Sequence, residues 1–240
     1  MKILVAVKTI AQTLPIDANG NSAENNTKLM LDPFSEVALE QGLRMLEQGE
    51  ASQLTVVSVS PSVQGLRAAM AMGCDHAIHI PYPLDDCQQI AKALQQCAQS
   101  VGADLVLLGK QSGDGDNHQV AQRLAALLQW PLFSAVDQLQ CHGTDLVGSG
   151  LCAGGRGQYA APLPLVISAD LRLATPRFAA LPKVIRARRL PITVFEPELS
   201  AAKGPVMLSQ SLSQRSRRGE TLDNVTALAE LLRPTVGANP

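Results

Sequence analysis

Short apolar runs rich in β-branched residues alternate with segments of helical periodicity along most of this chain. The runs that we interpret as buried strands are residues 2–8, 53–59, 104–109 and 163–169. The segments that we interpret as helices are residues 35–48, 63–72, 86–101 and 118–128. Strands that alternate with helices pair in parallel, because each helix carries the chain back across the sheet. The pattern therefore predicts an α/β fold with a doubly wound, mostly parallel sheet and helices on both faces.

The composition of the chain excludes several classes of function. A formal net charge of −1 and an aromatic content of 3% argue against a nucleic-acid partner. No apolar run reaches the roughly 18 residues of a membrane helix, so we expect no direct membrane insertion. The N-terminal run predicts a strand rather than a signal peptide. The five cysteines are odd in number and lack CxxC spacing, which argues against disulfides or zinc and favours a cytoplasmic location.

The chain changes character near residue 190. Several prolines interrupt it there, and one last amphipathic segment, residues 222–232, predicts a short helix. We expect an α/β domain over residues 1–189 and an extended C-terminal arm over residues 190–240. The arm has too few apolar residues for its own core, so we expect it to pack on a partner subunit. A frayed tail is the alternative.

The most informative segment is residues 109–131, which follow a predicted strand and lead into a predicted helix. Carboxyl ends of parallel strands are where ligands bind in such sheets, and the turns after Lys8, Ser58 and Lys110 lie at that edge. Glycines in the last of these turns let the backbone approach a ligand, and a helix beginning near Asn117 offers free N–H groups to a phosphate. We therefore expect the α/β domain to bind a nucleotide.

A plain turn is the alternative interpretation of this segment. In that case Asp116 or Asn117 caps the helix, and the glycines serve only the turn. Neither a Walker lysine motif nor a GxGxxG motif is present, so the two common nucleotide signatures do not decide the matter.

Residues with catalytic chemistry form no recognisable constellation. The four histidines show no metal-ligand spacing, and only His118 lies at a proposed helix N-terminus. No nucleophile elbow and no acid–base pair is visible. We expect no catalytic residues and no metal site, which favours a binding or carrier protein over an enzyme.

The segment 169–191 mixes apolar side chains, prolines and a basic cluster. Its prolines predict an exposed loop, and an exposed leucine beside cations is typical of a docking surface for an acidic partner. An ordinary surface loop is the alternative. The residues that we assign to docking are Leu181, Arg177, Lys183, Arg186 and Arg188.

Five sequence blocks occur in an order that is specific enough to suggest a family. They read ILVAVK, LDPFSEVALEQGLRM, LRAAMAMGCDHAI, DLVLLGKQSGDGDNHQVAQRLAALLQWP and LPLVISADLRLATPRFAALPKVIRARRLPI. Together they resemble the beta (small) subunit of electron transfer flavoproteins, over most of the chain.

This resemblance implies partners and cofactors that the composition does not show. It implies a larger alpha subunit, with FAD held mainly by that subunit at the shared interface, and an AMP buried in the beta subunit. It also implies electron traffic from flavin dehydrogenases to a quinone reductase, with Leu181 inserting into the dehydrogenase. The residues that the resemblance assigns to the AMP pocket are Ala6, Asp32, Val59, Asp114, Asp116, Asn117, His118, Gln119, Val120, Ala121 and Gln122.

The chain departs from the family pattern in two places. Many AMP-binding members have Asn-Gln-Thr-Gly where this chain has His118 to Ala121, so one phosphate donor is missing and the turn is closer to members that hold a second FAD. An acidic–basic pair of the family falls on Ser149 and Gly150, and its Asp on Ala153. Arg156 is our candidate for the lost cation near the flavin. The readings left open are a carrier subunit, a bifurcating subunit with two flavins, and a stand-alone adenine-nucleotide-binding regulator.

Overall fold

The computed structural model describes residues 1–12, 29–83, 86–142, 145–199, 219 and 221–232. The chain divides into two compact units, Met1–Val206 and Met207–Pro240. Most of the predicted arm lies outside the described residues. Among the described helices, none is long and apolar enough to cross a bilayer.

The first unit contains eleven described strands and five described helices. The strands are β1 (Lys2–Ala6), β2 (Thr9–Ala11), β3 (Leu29–Leu31), β4 (Gln53–Val59), β5 (His76–Ile80), β6 (Leu105–Gly109), β7 (Leu132–His142), β8 (Asp145–Cys152), β9 (Gly155–Pro162), β10 (Leu165–Ala169) and β11 (Thr193–Val194). The helices are α1 (Pro33–Glu47), α2 (Gln64–Met72), α3 (Cys87–Val101), α4 (Val120–Leu128) and α5 (Leu181–Ala187). The second unit contains α6 (Val225–Leu232), within the segment where a short helix was predicted.

The main sheet has nine strands in the order β11-β5-β4-β1-β6-β10-β7-β8-β9. The strands from β11 to β7 are parallel to their neighbours, whereas β8 and β9 are antiparallel additions. The predicted doubly wound, mostly parallel sheet is therefore confirmed. From β1 the chain winds one way through β4 and β5 and then resumes on the other side with β6, which makes the crevice beside β1 the switch point.

Two apolar layers cover the sheet. Ile3 and Val5 of β1, and Val7 just after it, belong to the layer that includes α1 and α2, whereas Leu4 belongs to the layer that includes α3 and α4. Successive residues of a strand point to opposite faces, so this alternation requires helices on both sides. Residues 3–5 of β1 are apolar without interruption because both faces of the strand are buried there.

Residues 190–199 extend the first unit beyond the boundary expected at residue 189. Strand β11 pairs with β5, and the Gln96 side chain exchanges two hydrogen bonds with the backbone of Glu198, at 2.8 and 2.9 Å. This part of the expected arm is thus attached to the sheet and to α3. The arm itself, and its packing on a partner, stay predictions.

Candidate functional site

A cavity of about 120 Å³ lies at the carboxyl ends of β1, β4 and β6, at the switch point of the sheet. Its apolar lining, called the floor below, is formed by Ala6, Val57, Val59, Ile90, Leu94, Leu108 and Val120. Its polar lining, called the mouth below, is formed by Lys8, Ser35, Cys87, Lys110, Gln111, Ser112, Asn117 and Gln119. A cavity with an apolar end and a cationic end matches a molecule that carries a ring at one end and a phosphate at the other.

The turn after β6 is attached to the start of α1 through one buried carboxylate. Asp32 caps α1 by accepting hydrogen bonds from the N–H groups of Phe34 and Ser35, at 3.1 and 3.2 Å. Its other oxygen accepts from the N–H of Gly113 at 2.7 Å. Burial raises the pKa of Asp32 and outweighs the lowering by these three N–H donors. Asp32 does not line the cavity itself. It acts on the cavity through the turn that it holds in place by the N–H of Gly113.

Lys8 connects the end of β1 to the same turn. Its Nζ lies 2.7 Å from Asp114 Oδ1 and 3.2 Å from Ser112 Oγ. Burial opposes ionisation of Asp114, but the hydrogen bonds from Lys8 and Ser112 outweigh it and lower the pKa of this carboxyl. The Nζ of Lys110, across the mouth, is 2.9 Å from Asp170 and 5.7 Å above the Phe34 ring. Both lysines therefore line the mouth with ammonium groups that are each paired to a carboxylate.

The helix after this turn begins later than predicted. The structure starts α4 at Val120, with Gln119 at the N-cap, whereas a start near Asn117 or His118 was expected. Asp116 and His118 have left-handed φ angles of 47° and 52°, which a helix cannot continue through. Asp116 and Asn117 are therefore not the cap, and no described side chain caps α4. Gln119 and Val120, at the start of α4, line the cavity, and the first N–H groups of a helix have no partner within that helix.

The structure sorts the residues assigned to the pocket into three groups. Those that line the cavity are Ala6, Val59, Asn117, Gln119 and Val120. Asp32 and Asp114 hold its turn from outside. The residues that lie away from the cavity are Asp116, His118, Ala121 and Gln122: Ala121 is buried in the core between sheet and α4, and Gln122 is exposed.

Several lining residues were not assigned from the sequence. Lys8 ends one predicted strand and Lys110 follows another, both at the expected ligand edge, and this position was the available signal. Cys87 gave no such signal, because only the fold brings the start of α3 to the mouth. There its Sγ accepts a hydrogen bond from Asn117 at 3.1 Å.

The segment assigned to docking is exposed, but part of it is helical. Leu181 is the first residue of α5, so the prediction of an irregular loop is wrong at this point; Pro182 is tolerated because a helix needs no N–H donor in its first turn. Leu181 is 72% exposed and Phe178 is fully exposed. Ile185 lies one helical turn after Leu181 on the same face of α5 and is also exposed. Together with Phe178, three residues before Leu181, these exposed side chains are called the apolar patch below.

The basic residues around this patch differ in their surroundings. Arg177 is bound by Glu40 and Glu47 of α1, which raise the pKa of its guanidinium and fix the chain before Phe178. Arg186 is 2.9 Å from Asp75. Lys183 and Arg188 are exposed. Arg177 is held by two carboxylates of α1, so its role is structural. Lys183 and Arg188 are the more accessible cations among the residues assigned to docking.

Arg156, the candidate for a flavin-side cation, is paired within the chain. It lies on β9 and makes a two-pronged ion pair with Asp137, with N–O distances of 2.6 and 2.9 Å. Position 150 cannot hold the side chain that the family pattern places there. A Cβ on Gly150 would lie 2.6 Å from the carbonyl oxygen of Ala135.

Comparison with known proteins identifies the family. Residues 20–200 match the Electron transfer flavoprotein domain. The chain is 34% identical over 203 residues to the electron transfer flavoprotein subunit beta of Bradyrhizobium diazoefficiens, covering 80% of each chain. It is 35% identical over 209 residues to the mitochondrial electron transfer flavoprotein subunit beta of Oryza sativa subsp. japonica. It is 33% identical over 209 residues to the electron transfer flavoprotein subunit beta of Homo sapiens, and each alignment covers about 82% of each chain. The chain therefore belongs to the electron transfer flavoprotein beta subunit family.

Proposed function

We propose that this chain is the beta subunit of a heterodimeric electron transfer flavoprotein and serves as an electron carrier rather than an enzyme. Family membership supports a larger alpha subunit as its partner and a flavin as the redox group. In this proposal FAD, held mainly by the alpha subunit, supplies one- and two-electron chemistry. The flavin is reduced by flavin dehydrogenases and reoxidised by a quinone reductase. A cytoplasmic location stays a prediction.

The cavity beside β1 is our proposed site for AMP. The observation that carries this assignment is its polarity, with an apolar floor under a mouth that holds Lys8 and Lys110. The floor suits an adenine ring, and the mouth, with the first N–H groups of α4, suits a phosphate. At about 120 Å³ the cavity is smaller than the roughly 300–1,000 Å³ of common ligand pockets, so the ribose and phosphate lie in its open mouth.

A second FAD is the alternative occupant. The open mouth leaves room for a pyrophosphate to continue outward, and Val120 lacks the hydroxyl with which a threonine would bind a single phosphate. Counting the bound molecules distinguishes the two. Both occupants would use the same apolar floor.

The apolar patch of Phe178, Leu181 and Ile185 is our proposed docking surface for the dehydrogenase. Exposed apolar patches often mark protein–protein binding sites, because burying them against a partner is favourable in free energy. Glu40 and Glu47 support this proposal, because they hold Arg177 and so fix the approach of the chain to the patch. Lys183 and Arg188 would guide an acidic partner.

The test is co-expression of the full chain with its alpha subunit, followed by mass spectrometry of the denatured extract. We expect a yellow heterodimer with one FAD and one AMP. Two FAD molecules would support the bifurcating subunit, and a colourless monomer or homodimer that binds ATP would refute the carrier.

A bulky substitution in the cavity floor checks the nucleotide site. Val59→Trp should abolish AMP retention, because Val59 lines the floor, and should leave FAD in place. Val63→Trp is the matched control, since Val63 is exposed and lies outside the cavity. Equal AMP content in the two variants would show that the cavity is wrongly assigned.

A further inference from the structure

Two contacts attach the turn after β6, residues 111–117, to the start of α1 and to the end of β1. The first is Asp32, whose Oδ1 accepts a hydrogen bond from the N–H of Gly113 at 2.7 Å. The second is Lys8, whose Nζ lies 2.7 Å from Asp114 and 3.2 Å from Ser112. Three residues of this turn line the cavity mouth, namely Gln111, Ser112 and Asn117. Both contacts therefore bear on the placement of these side chains.

The carboxylate of Asp32 uses both of its oxygens. Oδ2 accepts from the N–H groups of Phe34 and Ser35 at the start of α1, while Oδ1 accepts from Gly113 in the turn. The residue is 0% exposed, so water does not compete for these oxygens. A protonated carboxyl carries an O–H donor, and on either oxygen this proton would face an N–H donor. Protonation therefore weakens at least one of the three hydrogen bonds.

An asparagine would serve the helix at this position but not the turn. Asparagine and aspartate are about equally good N-caps. The single oxygen of an asparagine would accept from Phe34 and Ser35, whereas its NH2 group would face the N–H of Gly113. The carboxylate has a cost, because burial raises the pKa of Asp32 above its ordinary value of 3.8. A carboxyl whose folded pKa is raised disfavours folding at neutral pH, so the charge serves the turn rather than the stability of the fold.

The charged groups on the elements packed around Asp32 are Glu36 of α1, Asp114 of the turn, Lys8 after β1 and Lys110 after β6. Burial and the charge of Asp32 raise the pKa of Glu36. Burial opposes ionisation of Asp114, but the hydrogen bond from Lys8 outweighs it and lowers the pKa of this carboxyl. As pH falls, Asp32 therefore takes up a proton before Asp114 does. The contact between Lys8 and Asp114 persists at a pH where the contact between Asp32 and Gly113 is lost.

We propose that Asp32 is a positioning residue for the nucleotide, and that only its ionised carboxylate holds the turn in the form that binds the phosphate. This inference rests on the proposed nucleotide site. Affinity for the nucleotide is full while Asp32 is ionised, and it falls as the carboxyl is protonated. Acid therefore releases the nucleotide, whereas Lys8 keeps the turn attached to the end of β1.

The test compares the dissociation constants of AMP for nucleotide-free heterodimers that carry the wild-type chain or Asp32→Asn. At pH 7 the variant should bind AMP about tenfold more weakly, because one hydrogen bond to a charged acceptor is lost. The ratio of the two constants should fall toward one as pH drops below the pKa of Asp32. The AMP phosphate takes up a proton of its own near about pH 6, and the ratio cancels this effect. A ratio of one at pH 7, or a ratio that stays at about ten down to pH 4, would overturn the proposal.

Two controls separate positioning from a structural role. Thermal unfolding without nucleotide at pH 7 should give Asp32→Asn a Tm no lower than that of the wild type, because the cap is kept and a buried charge is removed. A lower Tm together with weaker AMP binding would make Asp32 structural. Glu36→Gln is the matched variant, and its affinity for AMP should still fall with acid. A pH-independent ratio to Asp32→Asn in that background would assign the titration to Glu36 and contradict the role of Asp32.

Hydrogen–deuterium exchange gives a measurement that does not require AMP. At pH 7 the amide of Gly113 should exchange faster in Asp32→Asn than in the wild type, because its acceptor is lost. Equal exchange in the two proteins would overturn the role of Asp32 in the turn. If exchange changed as expected but the wild type did not bind AMP, the nucleotide site on which the proposal rests would be refuted, and the proposal with it.

Discussion

Glu40 should be the main electrostatic support of the docking segment. This carboxylate of α1 is 4% exposed and accepts four hydrogen bonds, from Arg44 Nε and from Nε, NH2 and the backbone N–H of Arg177, at 2.7 to 3.2 Å. Arg44 also donates to the carbonyl of Thr175. Within the described part of the chain, removing the carboxylate by Glu40→Ala therefore leaves residues 175–177 held to α1 only through Arg44 and Glu47.

The expected cost follows from these contacts. Hydrogen bonds to charged groups contribute about 1.5–3 kcal/mol each, but both guanidinium groups are partly exposed and regain water when the acid is lost. We therefore expect Glu40→Ala to lower the free energy of unfolding by about 2–3 kcal/mol in total. For a chain of this size that corresponds to a fall in Tm of about 5–10 °C.

The pH dependence checks the electrostatic cause. Burial works to raise the pKa of Glu40, but hydrogen bonds from Arg177 and Arg44 outweigh it and lower the pKa below its ordinary value of 4.5. A carboxyl with a depressed folded pKa contributes stability that is fully present above the unfolded pKa and is lost as pH falls through the folded pKa. The Tm difference between wild type and Glu40→Gln should therefore be full at pH 7 and shrink below about pH 4.5.

The assay is thermal unfolding of the heterodimer, followed by circular dichroism. Glu47→Ala is the matched control, because Glu47 binds the same guanidinium from an exposed position and should cost at most about 1 kcal/mol. If Glu40→Ala and Glu47→Ala gave equal Tm values, the buried carboxylate would have no special role. A Tm difference that stayed constant down to pH 3 would refute the electrostatic explanation.

Two further predictions concern the apolar patch and Gly150 of β8. Leu181→Ala should weaken electron transfer from the dehydrogenase about fivefold to thirtyfold, because covering the exposed 72% of a leucine is worth about 1–2 kcal/mol. Steady-state transfer against carrier concentration measures this, and loss of flavin from the variant would show that Leu181 is structural instead. Gly150→Ala should destabilise the chain by about 1–3 kcal/mol, because its Cβ would meet the Ala135 carbonyl oxygen at 2.6 Å. Gly154→Ala, which has nothing within 4 Å of its Cβ, should be neutral in the same chemical denaturation experiment.

Four strands of the parallel core were predictable from the sequence because they are apolar on both faces, whereas β5, β7 and β11 were not predicted. Residues 53–59 were placed without error as β4, and the other predicted strands differ from β1, β6 and β10 by one or two residues at an end. The hairpin of β8 and β9 was missed because glycine and small polar residues replace the alternation that marks a strand. The hairpin is held in place by the pairing of β8 with β7, and local sequence patterns do not reveal such a contact.

The candidate pocket was predictable to the level of strands and turns but not of side chains. Ala6 and Val59 came from the resemblance and line the cavity. The late start of α4 depends on left-handed backbone at Asp116 and His118. Neither residue is a glycine, so the sequence carried no clear sign of this conformation. The role of Arg177 was hidden for a similar reason, because its acids lie on α1, more than a hundred residues away in sequence.

Helix α1 connects the two proposed sites to one rigid element. Its N-cap Asp32 holds the nucleotide turn through the N–H of Gly113, and Glu40, two helical turns later, holds the docking segment through Arg177. Eight residues of helix span about 12 Å, so the two anchors keep a fixed spacing for as long as α1 is intact. Among the described residues, the carboxylates of Asp32 and Glu40 have no hydrogen-bond partner in common. Substitutions at Glu40 should therefore alter docking without changing AMP content, and a change in both would require that α1 itself moves.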